Sequence, residues 1–453
     1  MPLHTIPLSQ LGKGFDPLRL HELNARRYPY LLQSVLHGTA QSRYDILFAF
    51  PGQQIRWQPG LTDSFLAQLD RQWQRHKRVG QGSTVEAALP FRGGWFLYLA
   101  YELASEVETT LKLSSAQDHF PAAFATAIPA ALVVDHAEQQ LHLVVEEGQE
   151  ALLELMKEDL LSISTGAGPA TTAAPKILRI DEDEPARYLA GVERIKKYIL
   201  DGDVFQVNLS RGWQVSLGEE VSAAQLYRRL RQHNAAPFAA LVCEGEGAII
   251  SSSPERLIDV KAGRISTRPI AGTRPRGNDD LADEAYSKTL LGHPKERAEH
   301  VMLIDLERND LGRVCQPGSV SVDELMVLES YAYVHHIVSN VSGTLRAGVT
   351  PGQAIAAVFP GGTITGCPKV RCMEIIQSLE QTCRGPYTGS LGYLNYNGDM
   401  DLNILIRTMY KERQQLKFRT GAGIVADSIA ENELQETRVK AKGLLSALGA
   451  CGT

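Results

Sequence analysis

Apolar and polar positions alternate in short runs over most of this chain and lengthen to a helical period only in places. "YDILFAF" (Tyr44 to Phe50), "PAALVVDHAEQQLHLVVE" and "FRGGWFLYLAYELA" read as strands with one helix or glycine hinge among them. At Ser162 the pattern stops. "SISTGAGPATTAAP" holds small residues and two prolines, which predicts a linker over 162–176 between an N-terminal region, 1–161, and a second region, 177–450. Beyond it, "EPARYLAGVERIKKYIL" has Pro185 near its start and apolar positions at 189, 192, 195 and 199, a helix that turns at Asp201-Gly202 into an alternating strand. "AIISSSPERLIDVKAGRIST" predicts a strand, a Ser/Pro turn carrying Glu255, and a hairpin through Ala262-Gly263. "PKERAEHVMLIDLERNDLG" predicts a helix from Pro294 to Gly312, and a last helix begins near Ser428. The pattern by itself supports a mixed α and β chain in two segments, with no fixed-period repeat.

Composition narrows the function classes. At 453 residues the chain can bury a large core. Its net charge of −6 offers no basic surface for nucleic acid. The six cysteines form no C-x-x-C pair and have no histidine spacing that suggests zinc, so reduced thiols in a cytoplasmic protein are expected. No apolar run approaches a membrane span, and "MPLHTIPLSQLGKGF" lacks the charged and apolar regions of a signal peptide.

Candidate chemistry concentrates in the second region. Glu433 and Glu436 share one face of the last helix, and a solvated surface pair is the simplest account of them. Three features point beyond it. Like charges at that spacing repel mildly, the upstream "GAGIVADS" is a Gly-rich turn whose amides can face an anion, and Glu299 sits in an otherwise apolar helical run. Three hard oxygen ligands without His or Cys favour Mg²⁺ over zinc. On the cationic side, Arg407 lies in "DLNILIRTMY", which alternates as a strand, and Lys440 follows Glu436 by four residues. Each alone fits an ion pair; with a metal they suit a small polycarboxylate, to which the Tyr393 hydroxyl can add a contact.

In order along residues 200 to 445 stand "FQVNLSRGW", "SPERL", "RPIAGTRPRG", "AEHVMLIDLERNDLGRVC", "YAYVHHIVSNVSGTL", "FPGGTITGCPKVRCMEII", "GYLNYNGDMDLNILIRT", "GAGIVADS" and "ENELQETRVKA". Together they resemble the chorismate-utilising enzymes. The resemblance implies a single α/β (α+β) fold of two stacked, largely antiparallel sheets flanked by helices. It implies Mg²⁺ bound by Glu299 and Glu436, with Glu433 as an acidic partner. Glu255 matches the general acid that protonates the departing C4 hydroxyl of chorismate. Arg407, Tyr393 and the backbone of Gly421, Ala422 and Gly423 match the grip on the carboxylates. Gly272, Thr273, His336, Thr363 and Lys440 match further pocket positions.

Two motifs bear on the product. Isochorismate and salicylate synthases carry a lysine base where this sequence has Gln206, and glutamine cannot activate water, so the nucleophile expected is ammonia delivered by a separate glutamine amidotransferase subunit. In many aminodeoxychorismate synthases a lysine at the position of Ala271 attacks C2 of chorismate; a methyl group cannot, which taken alone points to anthranilate synthase component I. Against that, "QVNLS" with Asn208, "FPGGTITGCPK" and "RYDILFA" resemble the aminodeoxychorismate branch, which includes an alanine-bearing subclass with a noncovalent intermediate. Aminodeoxychorismate synthase component I is therefore the expected activity, serving p-aminobenzoate and folate synthesis. Anthranilate synthase component I is the alternative, and a silent chorismate-binding regulator a more remote one. "NAAPFAALV" and "LLQS" resemble the tryptophan pocket of anthranilate synthases, but Gln33 replaces the acid there, so weak or absent tryptophan inhibition is expected.

Overall fold

The computed structural model describes the whole chain except residues 1, 13, 36–42, 79–88, 114–119, 165–172, 276–293, 331–333 and 451–453; the side chains of 271, 273–275, 294–296, 330 and 334 also lie outside the description. Two large sheets, of twelve and ten strands, are built from antiparallel pairings. The core lies between them. Tyr30 and Phe48 from the larger sheet meet Phe96 and Phe124 from the smaller, and the rings of Tyr30 and Phe96 stack at 4.2 Å and 15°. Strand Gly94–Leu99 is buried on both faces, which is why "GWFLYL" shows no polar alternation.

Helices cover the outer face of the larger sheet. Leu18–Leu23, Ala151–Ser164, Ala223–His233 and the end of Ala430–Ala447 pack Leu20, Met156, Leu226 and Leu444 over Leu143, Leu241, Trp213 and Phe418. Pro185–Leu200 and Lys369–Glu380 pack Val192, Ile195 and Ile376 over Val207 and Ile424. Pro185 occupies the first turn of its helix, where its missing N–H costs nothing. Ala262 and Gly263, at φ of 51° and 79°, close the expected two-residue hairpin.

The sequence division at 162–176 does not divide the sheets. Strands Tyr30–Gln33 and Tyr44–Ala49 belong to the same sheet as Gln206–Leu217 and Gln415–Ile424, while Gly94–Leu99 joins Ser390–Asn395 in the other. Two segments cross between the sheets side by side. Gly247–Ser253 pairs with Thr408–Glu412 in the larger sheet, and Arg256–Lys261 pairs with Met400–Asn403 in the smaller. Pro254-Glu255 and residues 404–407 are the links, held together by Ile404 N–H donating to Glu255 O (2.9 Å) and Ser252 N–H donating to Arg407 O (3.2 Å).

Candidate active site

These crossings place a carboxyl and a guanidinium where backbone leaves one sheet for the other. Glu255 is 5% exposed, and its Oε1 finds no hydrogen-bond partner. Burial pushes its pKa up to about 7; the Thr363 hydroxyl, the Ile270 N–H and the charges of Lys440 and Arg407 pull it only partly back. The Thr363 hydroxyl stands near enough to favour the ionised form, yet is itself without a hydrogen bond of standard geometry. A carboxyl raised this far is protonated in a large share of molecules at neutral pH and can release that proton to a leaving group. Arg407 sits in the link, not in a strand, at φ 52°, a strained conformation for a non-glycine residue. Desolvation lowers its pKa, the Glu255 charge raises it, and it has no salt-bridge partner among the described residues. His336, on strand Val334–Thr344, is 2% exposed. Burial and Arg407 push its pKa down to about 3, so the imidazole is neutral, and Gly272 of the adjacent strand accepts from it.

A second wall comes from strands Gln206–Leu217 and Gln415–Ile424, where Asn208 pairs with Gly423 and Ser210 with Gly421. Gln206 Nε2 donates to Glu299 Oε1 at 2.8 Å. The glycines make room: a Cβ on Gly423 would lie 2.2 Å from Gln206 Nε2, and one on Gly421 would lie 2.6 Å from the Tyr387 hydroxyl and 2.9 Å from Asn208 Oδ1. Lys440 Nζ donates to Gly421 O at 2.9 Å and pairs with Glu436 at 2.7 Å, fixing the middle of the last helix, Ala430–Ala447, against this strand. Among the described residues no three His, Cys, Asp or Glu side chains gather within reach of one ion. Glu299, Glu433 and Glu436 are thus not preassembled as a cage. Glu433 is 9% exposed, while Glu436 is 49% exposed and paired with Lys440.

The sequence matches a family model described as chorismate binding enzyme over residues 33–446. The chain belongs to that family. It is 43% identical over 442 residues to aminodeoxychorismate synthase component 1 of Bacillus subtilis, covering 94% of this chain and 92% of that one. It is 40% identical over 409 residues to an anthranilate synthase component I-like protein of Synechocystis sp., covering 90% and 83%. The crystal structure of anthranilate synthase component I from Streptococcus pneumoniae aligns with a TM-score of 0.79 at 31% identity, over 97% of this chain and 98% of that chain. The two-sheet fold expected from the motifs is the fold observed.

In this chorismate-utilising enzyme the expected site residues are sorted by geometry. Glu255, Arg407 and Lys440 share one electrostatic neighbourhood, into which His336 and Thr363 also face. Gln206, Glu299 and Gly423 meet around one point, and Gly421 joins them to Lys440. Ala422 contributes backbone alone, because alternation turns its methyl into the helix-covered core. Ala271 and Thr273 pair through their backbones with Ile337 and His336 across a bulge, but their side chains lie outside the described residues. Tyr393 is not brought to this group. It lines a separate cavity of about 230 Å³ with Gln33, Phe238, Arg256 and Asp401, and packs edge-on against Phe91. The tyrosine facing Gly421 is Tyr387, on a turn anchored by the buried Arg384–Glu380 pair (2.6 Å). Sequence reading missed it. Its signal was an aromatic residue inside the turn "RGPYTG", where ring burial needs a compensating contact.

Proposed function

We propose that this chain is the chorismate-aminating component of an aminodeoxychorismate synthase, turning chorismate and ammonia into 4-amino-4-deoxychorismate in the cytoplasm. The observation that carries the reading is Gln206. Its amide is a non-basic group held by Glu299, at the position where water-using members place a lysine, so the nucleophile must arrive already competent. Ammonia meets that requirement, and a glutamine amidotransferase subunit is the proposed source. Asn208, two residues along the same strand, aims a buried and unpaired Oδ1 at the space over Gly421. The Bacillus subtilis relative, aminodeoxychorismate synthase component 1, supports this branch.

In the proposed mechanism Arg407, Tyr387 and the amides of Gly421 to Gly423 hold the two carboxylates. Glu255 gives its proton to the C4 hydroxyl as ammonia forms a bond to C2; both ring double bonds shift by one position, C1=C2 to C1=C6 and C5=C6 to C4=C5, and water departs from C4. A second ammonia bonds to C4 and the first leaves C2, so chorismate and ammonia become 4-amino-4-deoxychorismate and water, with the enolpyruvyl group retained. Mg²⁺ is part of the proposal. Glu299 stands beside Gly423 and Glu436 is tied to the same strand through Lys440; with Glu433 they are hard oxygen donors that would suit an ion taking one or two carboxylates. It would neutralise carboxylate charge on the bound ring.

Anthranilate formation is the second reading, favoured by Ala271 and the Synechocystis relative. Product analysis decides between them, using purified protein, chorismate, Mg²⁺ and an ammonium salt at alkaline pH, with and without aminodeoxychorismate lyase. p-Aminobenzoate that requires the lyase supports the proposal. Anthranilate without the lyase replaces it with the second reading.

A further inference from the structure

Behind Glu255 the fold buries a second acid that the mechanism above does not use. Glu307, on helix Pro294–Gly312, is 6% exposed, and a Cβ on Gly362 would lie 3.4 Å from its Oε1. Gly362 adjoins Thr363, whose hydroxyl faces Glu255. Thr267, at the end of strand Arg264–Thr267, is 2% exposed and turns its hydroxyl toward Glu307. Around the two acids, Thr363 Oγ1 beside Glu255, Thr267 Oγ1 beside Glu307 and Glu255 Oε1 itself are buried and make no hydrogen bond of standard geometry. Three orphaned oxygens in one seam are costly unless a proton or water connects them. The seam continues outward from Glu307 to Asp310, which pairs with Lys369, and then to Arg313 at 3.6 Å, whose side chain is 47% exposed.

From this row of groups we infer that Glu307 is a proton relay, returning a proton to Glu255 through Thr363 and Thr267 after each turnover. The inference rests on the proposed role of Glu255. The balance is closed. Glu255 loses one proton to the departing water, the added ammonia becomes an alkylammonium that releases one, and Glu307 passes one inward and regains it from solvent along Asp310 and Lys369. Glu307 touches no reacting atom and acts through Glu255. The electrostatics agree: burial and Asp310 push its pKa up to about 8, with Glu255 adding to the rise and Lys369 and Thr267 opposing it. Groups facing Glu255 are Thr363, Ile270, Lys440 and Arg407.

The test compares Glu307→Gln and Glu307→Asp with the unaltered protein, following chorismate consumption so that the identity of the product does not matter. Glu307→Gln is expected to lower kcat ten- to hundredfold at unchanged KM for chorismate, with the loss recovered by added imidazole buffer as an external proton donor. Glu307→Asp is expected to recover most of the rate without buffer. A kcat within twofold of the unaltered protein, or a loss insensitive to imidazole, overturns the relay, because a purely structural defect is not repaired by a buffer acid. Infrared difference spectra give a readout without turnover. The unaltered protein should show protonated-carboxyl bands at neutral pH, and Glu307→Asp should shift the band that Glu255→Gln removes. An unshifted band overturns the inference even if Glu307→Gln fails to fold. Failure of the proposed function shows differently, as absent chorismate consumption by the unaltered protein.

Discussion

Gln206 and Glu299 meet at 2.8 Å because Gly423 has no side chain. The two residues come from a strand and a helix far apart in sequence, and the glycine opposite them is what lets the amide reach the carboxylate. Gly423→Ala would set a Cβ 2.2 Å from Gln206 Nε2 and 3.5 Å from Glu299 Oε1, so Gln206 must swing away. Turnover is expected to fall by about 100-fold or more, the scale of a misplacement of about 1 Å in a reacting site. The melting temperature should move little, because the clash is with a side-chain tip. Activity within a few-fold of the unaltered protein would mean that the contact does not position the chemistry.

Tyr387 and Tyr393 make opposite predictions. The Tyr387 hydroxyl donates to no described residue and stands over Gly421, so Tyr387→Phe should weaken chorismate binding by about ten- to a hundredfold, the cost of one hydrogen bond to a charged group. Tyr393→Phe, in the separate cavity, should leave KM within about twofold. Steady-state kinetics on both variants checks the pair, and an effect of Tyr393 larger than that of Tyr387 would restore the reading taken from the sequence.

This contrast marks what the sequence made legible. Local signals were read correctly where one residue decides, as with Pro185 at a helix start and Ala262-Gly263 at φ of 51° and 79°. Glu255 was found through the match of its motif to the family resembled, but that its Ser/Pro turn passes from one sheet to the other depends on pairing with 400–412 and leaves no local trace. Arg407 was read as a strand residue because its neighbours alternate; the chain instead changes sheets there, at φ 52°. Tyr393 fitted strand periodicity and Tyr387 did not, yet the side of the strand that faces substrate is set by long-range register, which periodicity cannot report. Motif order exceeded pattern in reach: it gave the family and the fold, while the partition of carboxylates around Gly423 needed coordinates.

Stability should fall on the alkaline side, and the sign follows from which state holds the protons. Burial raises the pKa of Glu255 and Glu102 to about 7 and that of Glu307 to about 8, from 4.5, so the folded protein keeps protons an unfolded chain has released. Their contribution is full below about pH 4.5 and is lost as pH rises through 7 and 8. His336 and His300 run the other way. Burial depresses them from 6.5 to about 3 and about 4, so their contribution is present above 6.5 and lost as pH falls through 4 and 3. The slopes of these groups oppose between pH 4.5 and 6.5; above it the glutamates act, joined by His136, whose pKa its Asp45 partner raises. The melting temperature should therefore fall between pH 6.5 and 8, and Glu255→Gln should flatten that fall by removing one group's share, at most about 1.4 kcal/mol per pH unit. A steepness unchanged in Glu255→Gln would show that its carboxyl already titrates near the ordinary value.

Tryptophan should not inhibit. The cavity of about 230 Å³ beside Tyr393 has the size for a small ligand, but the groups that would hold an α-ammonium are already engaged. Gln33 Oε1 accepts from Tyr227 (3.0 Å) and Arg231 (2.9 Å), and its Nε2 donates to Asp45 Oδ2 (2.9 Å). Asp401 accepts two bonds from Arg256 at 2.9 Å each, which neutralises the carboxylate lining the cavity. An incoming ammonium would exchange its hydration for acceptors already shared with Arg256, Arg231 and Tyr227, an unfavourable trade for a charged group. Initial rates with tryptophan in large excess over enzyme should match those without it, and calorimetry should register no binding heat. Inhibition at low micromolar tryptophan would show that this cavity holds an ammonium despite these partners, and would move the weight of the proposed function toward anthranilate formation.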